Sequence, residues 1–338
     1  MTGKKRKQKK VLIIVENLPV PHDKRVWQEA QALARAGYKV AVISPRGKGY
    51  QKSFEIINDV SIYRHPIPLE ARRALEYLIE YPAALFWEFI LSLKVFFTHG
   101  FDVIQACNPP DTIFLIGLFY KIFFRKKFIF DHHDGNPEIW IAKGGGKGIV
   151  YKALMLLEKL TFKTADMSFA VNQPYKDLAV ERGGMSPERV YIVRNSPNIK
   201  KPETIEKDKD IRGKNAKCII GYLGVMGKQD GVDNLLEIMR YIVHGKKRND
   251  IVLKIMGDGP ELQYLKGLAM KLDIDSQVNF TGWVSGNDYI SHLSSCDICV
   301  NADTVNEYNI NCSPNKIYEY MFFKKPIVQF DMPESKYV

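Results

Sequence analysis

Cysteine is scarce and unpatterned. The five cysteines, at 107, 218, 296, 299 and 312, are odd in number and scattered, which excludes a disulfide framework and points to a reducing compartment. The lone CxxC, Cys296 to Cys299, has no second pair to complete a zinc site and is read as two structural cysteines. No apolar run reaches the ~20 uninterrupted residues that cross a bilayer. YPAALFWEFILSLKVFF, 81–97, comes nearest, but Glu88 and Lys94 interrupt it. It reads as a buried or membrane-surface helix offering Phe86, Trp87, Phe89 and Phe96 for shallow docking.

No G-x-G-x-x-G follows the first β-rich run, which removes the usual seat of a nicotinamide or flavin dinucleotide. Acidic residues are missing from MTGKKRKQKK at the start, where six basic residues contribute to the net charge of +11. This tail lacks the apolar core of a signal peptide and is read as a handle for an anionic membrane. The chain is accordingly expected in the cytoplasm, peripheral at the inner face of the plasma membrane. Nucleic acid is not an expected partner, because the aromatics lie in apolar runs and not among the lysines.

What is present is a long alternation of β-rich runs and helical periodicity. KVLIIVEN is followed by a helix near 24–36 with Val26, Ala30, Leu33 and Ala34 on one stripe, then by YKVAVISP. Continuous apolar strands covered on both faces are the mark of parallel sheets in α/β proteins. A polar, proline-bearing segment interrupts the series before it restarts at CIIGYLGVMG. The reading is a basic tail 1–9, a Rossmann-like domain 10–196, a linker 197–216 and a second Rossmann-like domain 217–338. The sequence stops just after a strand, so the second domain is expected to be truncated at its C-terminus.

Ligands of open parallel sheets bind at the carboxyl ends of the strands, so the loops after the strands are the candidates. GVMGKQDGVD offers Gly224 and Gly227 for close backbone approach to a phosphate, with Lys228 for charge. GDGPE places Gly257 and Gly259 at a helix start, where N–H groups can face an anion. Lys316 and Glu319 are three apart and share a helix face, where the lysine can neutralise a diphosphate and the carboxylate can accept ribose hydroxyls. In DHHDGNPE adjacent histidines on a strand point to opposite faces, so His132 and His133 cannot ligate one metal together. One is expected to face inward. The other, beside Asp134, is a candidate proton handler or oxygen-polarising donor.

Taken together, RVWQEAQALARAGYKVAVISP, FDVIQACNPPD, FIFDHHDGNPE, VRNSPN, GVMGKQDGVD, IMGDGPE and NKIYEYMFFKKPIVQFD resemble family 4 of the glycosyltransferases across nearly the whole chain. The resemblance implies the GT-B fold, two Rossmann-like domains facing across a cleft, with acceptor bound by the first and nucleotide sugar by the second. It implies retaining transfer from a nucleotide-diphosphate sugar to a glycan or lipid-linked acceptor in polysaccharide biosynthesis, with no cofactor and no metal. It selects His133 as the cleft histidine, with Asp134 after it, and assigns the diphosphate to Lys316 and the loop glycines and the ribose to Glu319. Asn17, His22, Asn108 and Glu138 fall on the acceptor side.

Two positions depart from the family pattern. The acid expected eight residues before Glu319 is Asn311, with Glu307 four residues earlier as a substitute sugar contact. The family's R-x4-K pair falls on Val225 and Asp230. A nucleotide-sugar 2-epimerase of the same fold is the alternative, drawing on Asp111, Asp134, Glu138 and Glu307. An inactive donor-binding fragment is the other.

Overall fold

The computed structural model describes residues 8–47, 49–66, 77–195 and 216–337. Most of the basic tail, and the linker 197–216 except Ala216, lie outside the described residues. The chain forms two compact units, one of residues 1–140 and 145–198 and one of residues 141–144 and 199–338.

The first unit runs β1 (Lys10–Val15), α1 (Lys24–Arg35), β2 (Lys39–Pro45), β3 (Phe54–Ile57), β4 (Val60–His65), α2 (Tyr77–Thr98), β5 (Val103–Cys107) and α3 (Phe114–Phe124). It continues with β6 (Lys127–His132), α4 (Asn136–Ala142), α5 (Ile149–Thr164), β7 (Met167–Ala170), α6 (Gln173–Glu181) and β8 (Val190–Ile192). The sheet order is β3-β4-β2-β1-β5-β6-β7-β8, parallel except that β3 pairs antiparallel with β4. Strand alternation divides the core in two. Leu12 and Ile14 of β1 pack with Phe101, Phe128 and Tyr120, while Val11, Ile13 and Val15 face Val26 and Ala30 of α1. α1 starts where the Asp23 carboxylate accepts from Val26 N at 3.0 Å.

The second unit runs β9 (Cys218–Leu223), α7 (Val232–Arg240), β10 (Ile251–Met256), α8 (Leu262–Lys271), β11 (Val278–Gly282), α9 (Gly286–Ser295), β12 (Ile298–Asn301), α10 (Asn315–Phe322) and β13 (Ile327–Gln329). Its all-parallel order is β11-β10-β9-β12-β13. Cys296 and Cys299 are buried in its core beside Ile219 and Tyr320, as structural cysteines should be. After β13 the chain turns back, and Ser313 Oγ donates to the buried Glu334 at 2.8 Å. In both sheets the order reverses at the first strand. The switch points therefore lie between β1 and β5 and between β9 and β12, where doubly wound sheets open a crevice for ligands.

Candidate active site

In the first unit, chemistry gathers at the carboxyl end of β6. Asp131 and His133 project to one side and His132 to the other, as strand alternation requires. His132 is fully buried against Phe130, Phe162 and Tyr175. Burial pushes its pKa down to about 3, so the ring is neutral and structural.

His133 Nε2 lies 2.8 Å from Asp131 Oδ2 and 3.0 Å from Arg25 Nε. Arg25 also donates to Asp131 Oδ1 at 2.7 Å, to the Val193 carbonyl at 2.7 Å and to Asn195 Oδ1 at 2.9 Å, which ties α1 to the exit of β8. Gln105 donates to Asp131 Oδ2 at 3.1 Å and to Glu29 Oε2 at 2.6 Å. Burial works against a charged His133, but the Asp131 carboxylate outweighs it and the pKa is raised. Burial likewise opposes the Asp131 charge, and His133 with Arg25 holds that carboxyl far below the usual range. Burial and then Asp131 push Glu29 up to about 8. A raised His133 pKa favours the ring that donates Nε2–H to Asp131, leaving Nδ1 as its other hydrogen-bonding edge. Such a ring can donate to a hydroxyl or to a departing anionic oxygen.

The ligand atoms of Cys107, Asp131 and His133 lie within 4.8 Å of one another. They make a poor cation site. The Arg25 guanidinium already supplies the positive charge, and burial first, then Asp131, keeps the Cys107 thiol protonated.

Two expected acceptor-side residues are instead internal supports. Asn108 is buried; its Oδ1 accepts from His133 N at 2.7 Å and Asp134 N at 3.2 Å. Its Nδ2 donates to the Asp134 carbonyl at 2.7 Å and to Asp111 Oδ1 at 3.0 Å. Every hydrogen-bonding group of the side chain is occupied in shaping the loop that carries His133. Glu138 is held in an ion pair by Arg182, which also binds the buried Glu158 at 2.6 Å. Asn17 is exposed at the end of β1, and His22 is half-buried in the same loop.

In the second unit, α10 brings Lys316 to the switch point. Its Nζ donates to Asp303 Oδ1 at 3.0 Å and stands 4.7 Å above the Tyr222 ring, beside Gly224. Burial raises the pKa of Asp230, and Lys316 opposes that rise. The ammonium is thus bonded to Asp303 and lies within the electrostatic reach of Asp230. Asp230 Oδ2 also accepts from Gly227 N at 2.9 Å, so that N–H is not open to an anion. Lys228 is exposed. Glu319 lies against Tyr289, whose hydroxyl pKa is raised by burial and then by that carboxylate. Asn311 donates to the Glu307 carbonyl at 3.1 Å, and Glu307 itself is exposed.

The GDGPE glycines serve the packing of loops rather than an anion. A Cβ at Gly257 would lie 1.9 Å from the Gly224 carbonyl oxygen, and one at Gly259 would lie 2.5 Å from Met226 N. Met226 N donates to the Asp258 carbonyl at 3.1 Å and Glu261 N to the Met226 carbonyl at 3.0 Å, so backbone lacing joins the β9 and β10 loops. α8 begins only at Leu262, and Gly259 N is taken by Asp258 Oδ1 at 2.7 Å. Arg25, Asp303 and the buried Asn309, which donates to the Gln229 and Thr304 carbonyls at 2.9 Å, were not singled out from sequence.

With this geometry in view, comparison with known proteins is decisive for the family. The model of Glycosyltransferase Family 4 matches residues 23–200, and that of Glycosyl transferases group 1 matches 217–338. The chain belongs to glycosyltransferase family 4. An uncharacterized glycosyltransferase of Methanocaldococcus jannaschii is 24% identical over 290 residues, 80% of this chain and 67% of that protein. Among solved structures, sucrose-phosphate synthase from Thermosynechococcus elongatus superposes with TM-score 0.71 at 14% identity, covering 95% of this chain and 81% of that one. WaaG, a glycosyltransferase involved in lipopolysaccharide biosynthesis, gives 0.69 at 15% identity, covering 97% and 82%. A putative UDP-N-acetylglucosamine 2-epimerase from Listeria monocytogenes gives 0.61 at 14%, covering 98% and 82%. These structures share the fold, GT-B, and the fold alone does not separate transfer from epimerisation.

Proposed function

We propose that this family 4 chain transfers a sugar from a nucleotide-diphosphate sugar to a glycan or lipid-linked acceptor, with retention at the anomeric carbon, in polysaccharide assembly. The observation that carries the reading is the His133 ring, held through Nε2 by Asp131, which Arg25 holds in turn, at the carboxyl end of the sheet. In the reaction the anomeric C–O bond to the diphosphate breaks and the acceptor oxygen bonds to the same face. The acceptor proton leaves with the diphosphate. Stabilising the negative charge that develops on the leaving group is the main electrostatic task. In the second unit Lys316 is the ammonium for that charge, and it exchanges Asp303 for phosphate oxygens when donor binds.

The test is nucleoside diphosphate release from a panel of UDP-, GDP- and ADP-sugars with lipid-linked and oligosaccharide acceptors present. Release that requires acceptor, with an α-configured product from an α-configured donor, supports the reading. An epimerised donor formed without acceptor would replace it with the 2-epimerase.

A further inference from the structure

α2, α3 and α5 cover one face of the first sheet. Phe89 of α2 meets Phe119 of α3 at 5.0 Å, Phe96 meets Phe124 at 4.5 Å, and Lys121 of α3 donates to the Thr164 carbonyl of α5 at 2.6 Å. Their inner sides enter the core through Val95, Tyr120 and Phe162. Their outer sides are strongly apolar: Phe97 is 76% exposed, Phe123 68% and Ile149 87%, with Phe86 and Leu156 exposed as well. Only 22% of the stretch Glu80–Thr98 is buried, at a mean hydropathy of 1.2. Large apolar side chains left exposed on three neighbouring helices mark an interaction site.

Charge selects the occupant. From Tyr81 to the end of α2, and along all of α3 and α5, the carboxylates are Glu88 and Glu158, and both are buried. The exposed charges on these helices and the turn after α3 are cationic, Lys94, Arg125, Lys152, Lys159 and Lys163, while the bordering carboxylates, Glu80 at the start of α2 and Asp166 after α5, are half-buried and Asp166 is paired with Lys121 and Lys127. An apolar field ringed by lysine and arginine matches the headgroup–acyl boundary of an anionic bilayer. We propose that the outer face of α2, α3 and α5 is a docking surface for an anionic lipid membrane. Long lysine side chains reach the headgroups while Phe97, Phe123 and Ile149 enter the acyl region.

The experiment is flotation of the full chain with phosphatidylcholine vesicles and with equimolar phosphatidylcholine–phosphatidylglycerol vesicles, at low and at 0.5 M salt. Binding is expected on the anionic vesicles and to fall with salt. F97S/F123S is expected to weaken it at least about tenfold, while the far-UV spectrum and the urea midpoint are unchanged. The basic tail is present in both proteins, so equal binding by parent and variant overturns the proposal. So does self-association of the lipid-free chain that F97S/F123S abolishes, with no vesicle binding. No donor or acceptor enters this assay, so its failure leaves the transferase reading standing.

Discussion

Replacing Glu88 by glutamine should stabilise the first unit at alkaline pH and lose that advantage in acid. Glu88 is fully buried on α2, and neither carboxyl oxygen has a hydrogen-bond partner among the described residues. Burial first, and the Glu16 carboxylate second, push its pKa from 4.5 to about 8. The folded state therefore keeps the proton to higher pH than the unfolded chain does. Stability is greatest below pH 4.5, falls as pH rises from there to about 8, and is lowest above it. At about 1.4 kcal/mol per pKa unit, holding the ionised carboxylate in that site opposes folding by about 5 kcal/mol. Glutamine keeps the shape and removes the charge. Its buried amide costs about 1–3 kcal/mol at every pH, so the diagnostic quantity is the change with pH. In a Trp283→Phe background the remaining tryptophans, Trp27, Trp87 and Trp140, all report on the first unit. Urea unfolding followed by their fluorescence should show Glu88→Gln gaining about 3–5 kcal/mol over the parent between pH 4.5 and pH 9. A difference between the two proteins that is the same at both pH values would refute the reasoning.

His133→Ala should lower turnover by about 10²–10⁴-fold with the fold retained, checked by kcat and circular dichroism; a rate near the parent's removes the residue from the site. Asp131→Asn removes the charge that holds the His133 pKa up, so the His133 ring signal should titrate at lower pH by NMR. Lys316→Met should weaken UDP or GDP binding at least about tenfold by calorimetry, while Asp230→Asn, which keeps a cap for Gly227 N and removes one of two carboxylates around Lys316, should tighten it. Gly257→Ala adds a methyl 1.9 Å from the Gly224 oxygen at a φ of +140° and should destabilise the second unit by more than about 3 kcal/mol, read from the Trp283 transition.

Periodicity carried the fold. The helix expected near 24–36 appears at Lys24–Arg35, and Val26 and Ala30 of its stripe are its buried side. Local patterns suffice there because each element is set by neighbours in sequence. The site was legible only in part. The split of His132 from His133 follows from strand alternation, and the structure places the two rings on opposite sides of β6. Arg25 was invisible because, Glu29 apart, the groups around it, Asp131, His133, Val193 and Asn195, lie 106 to 170 positions away and meet it only once the sheet has formed. A buried arginine just after the first strand's loop is not distinguishable, by pattern alone, from the solvated basic residues around it. Asn108 and Glu138 misled for the converse reason, since polar residues in a loop after a strand read as ligands until their internal partners are known.

The two units fix their sites by different physical means. In the first, position depends on charge: Asp131 is ionised because Arg25 and His133 surround it, and His133 is oriented because Asp131 is ionised. Removing one member leaves a buried charge without its partner, at a cost of about 3–5 kcal/mol, so loss of position and loss of stability arrive together. In the second, position depends on backbone contact: Gly224, Gly257 and Gly259 permit two loops to touch and exchange main-chain hydrogen bonds, and Asn309 fastens a third. Asp230, beside that frame, can then lose its charge without moving it. Asp230→Asn should therefore alter ligand affinity at nearly constant stability, whereas substitutions at Arg25 and Asp131, and at Lys316, whose loss leaves the buried Asp303 without its partner, should alter both.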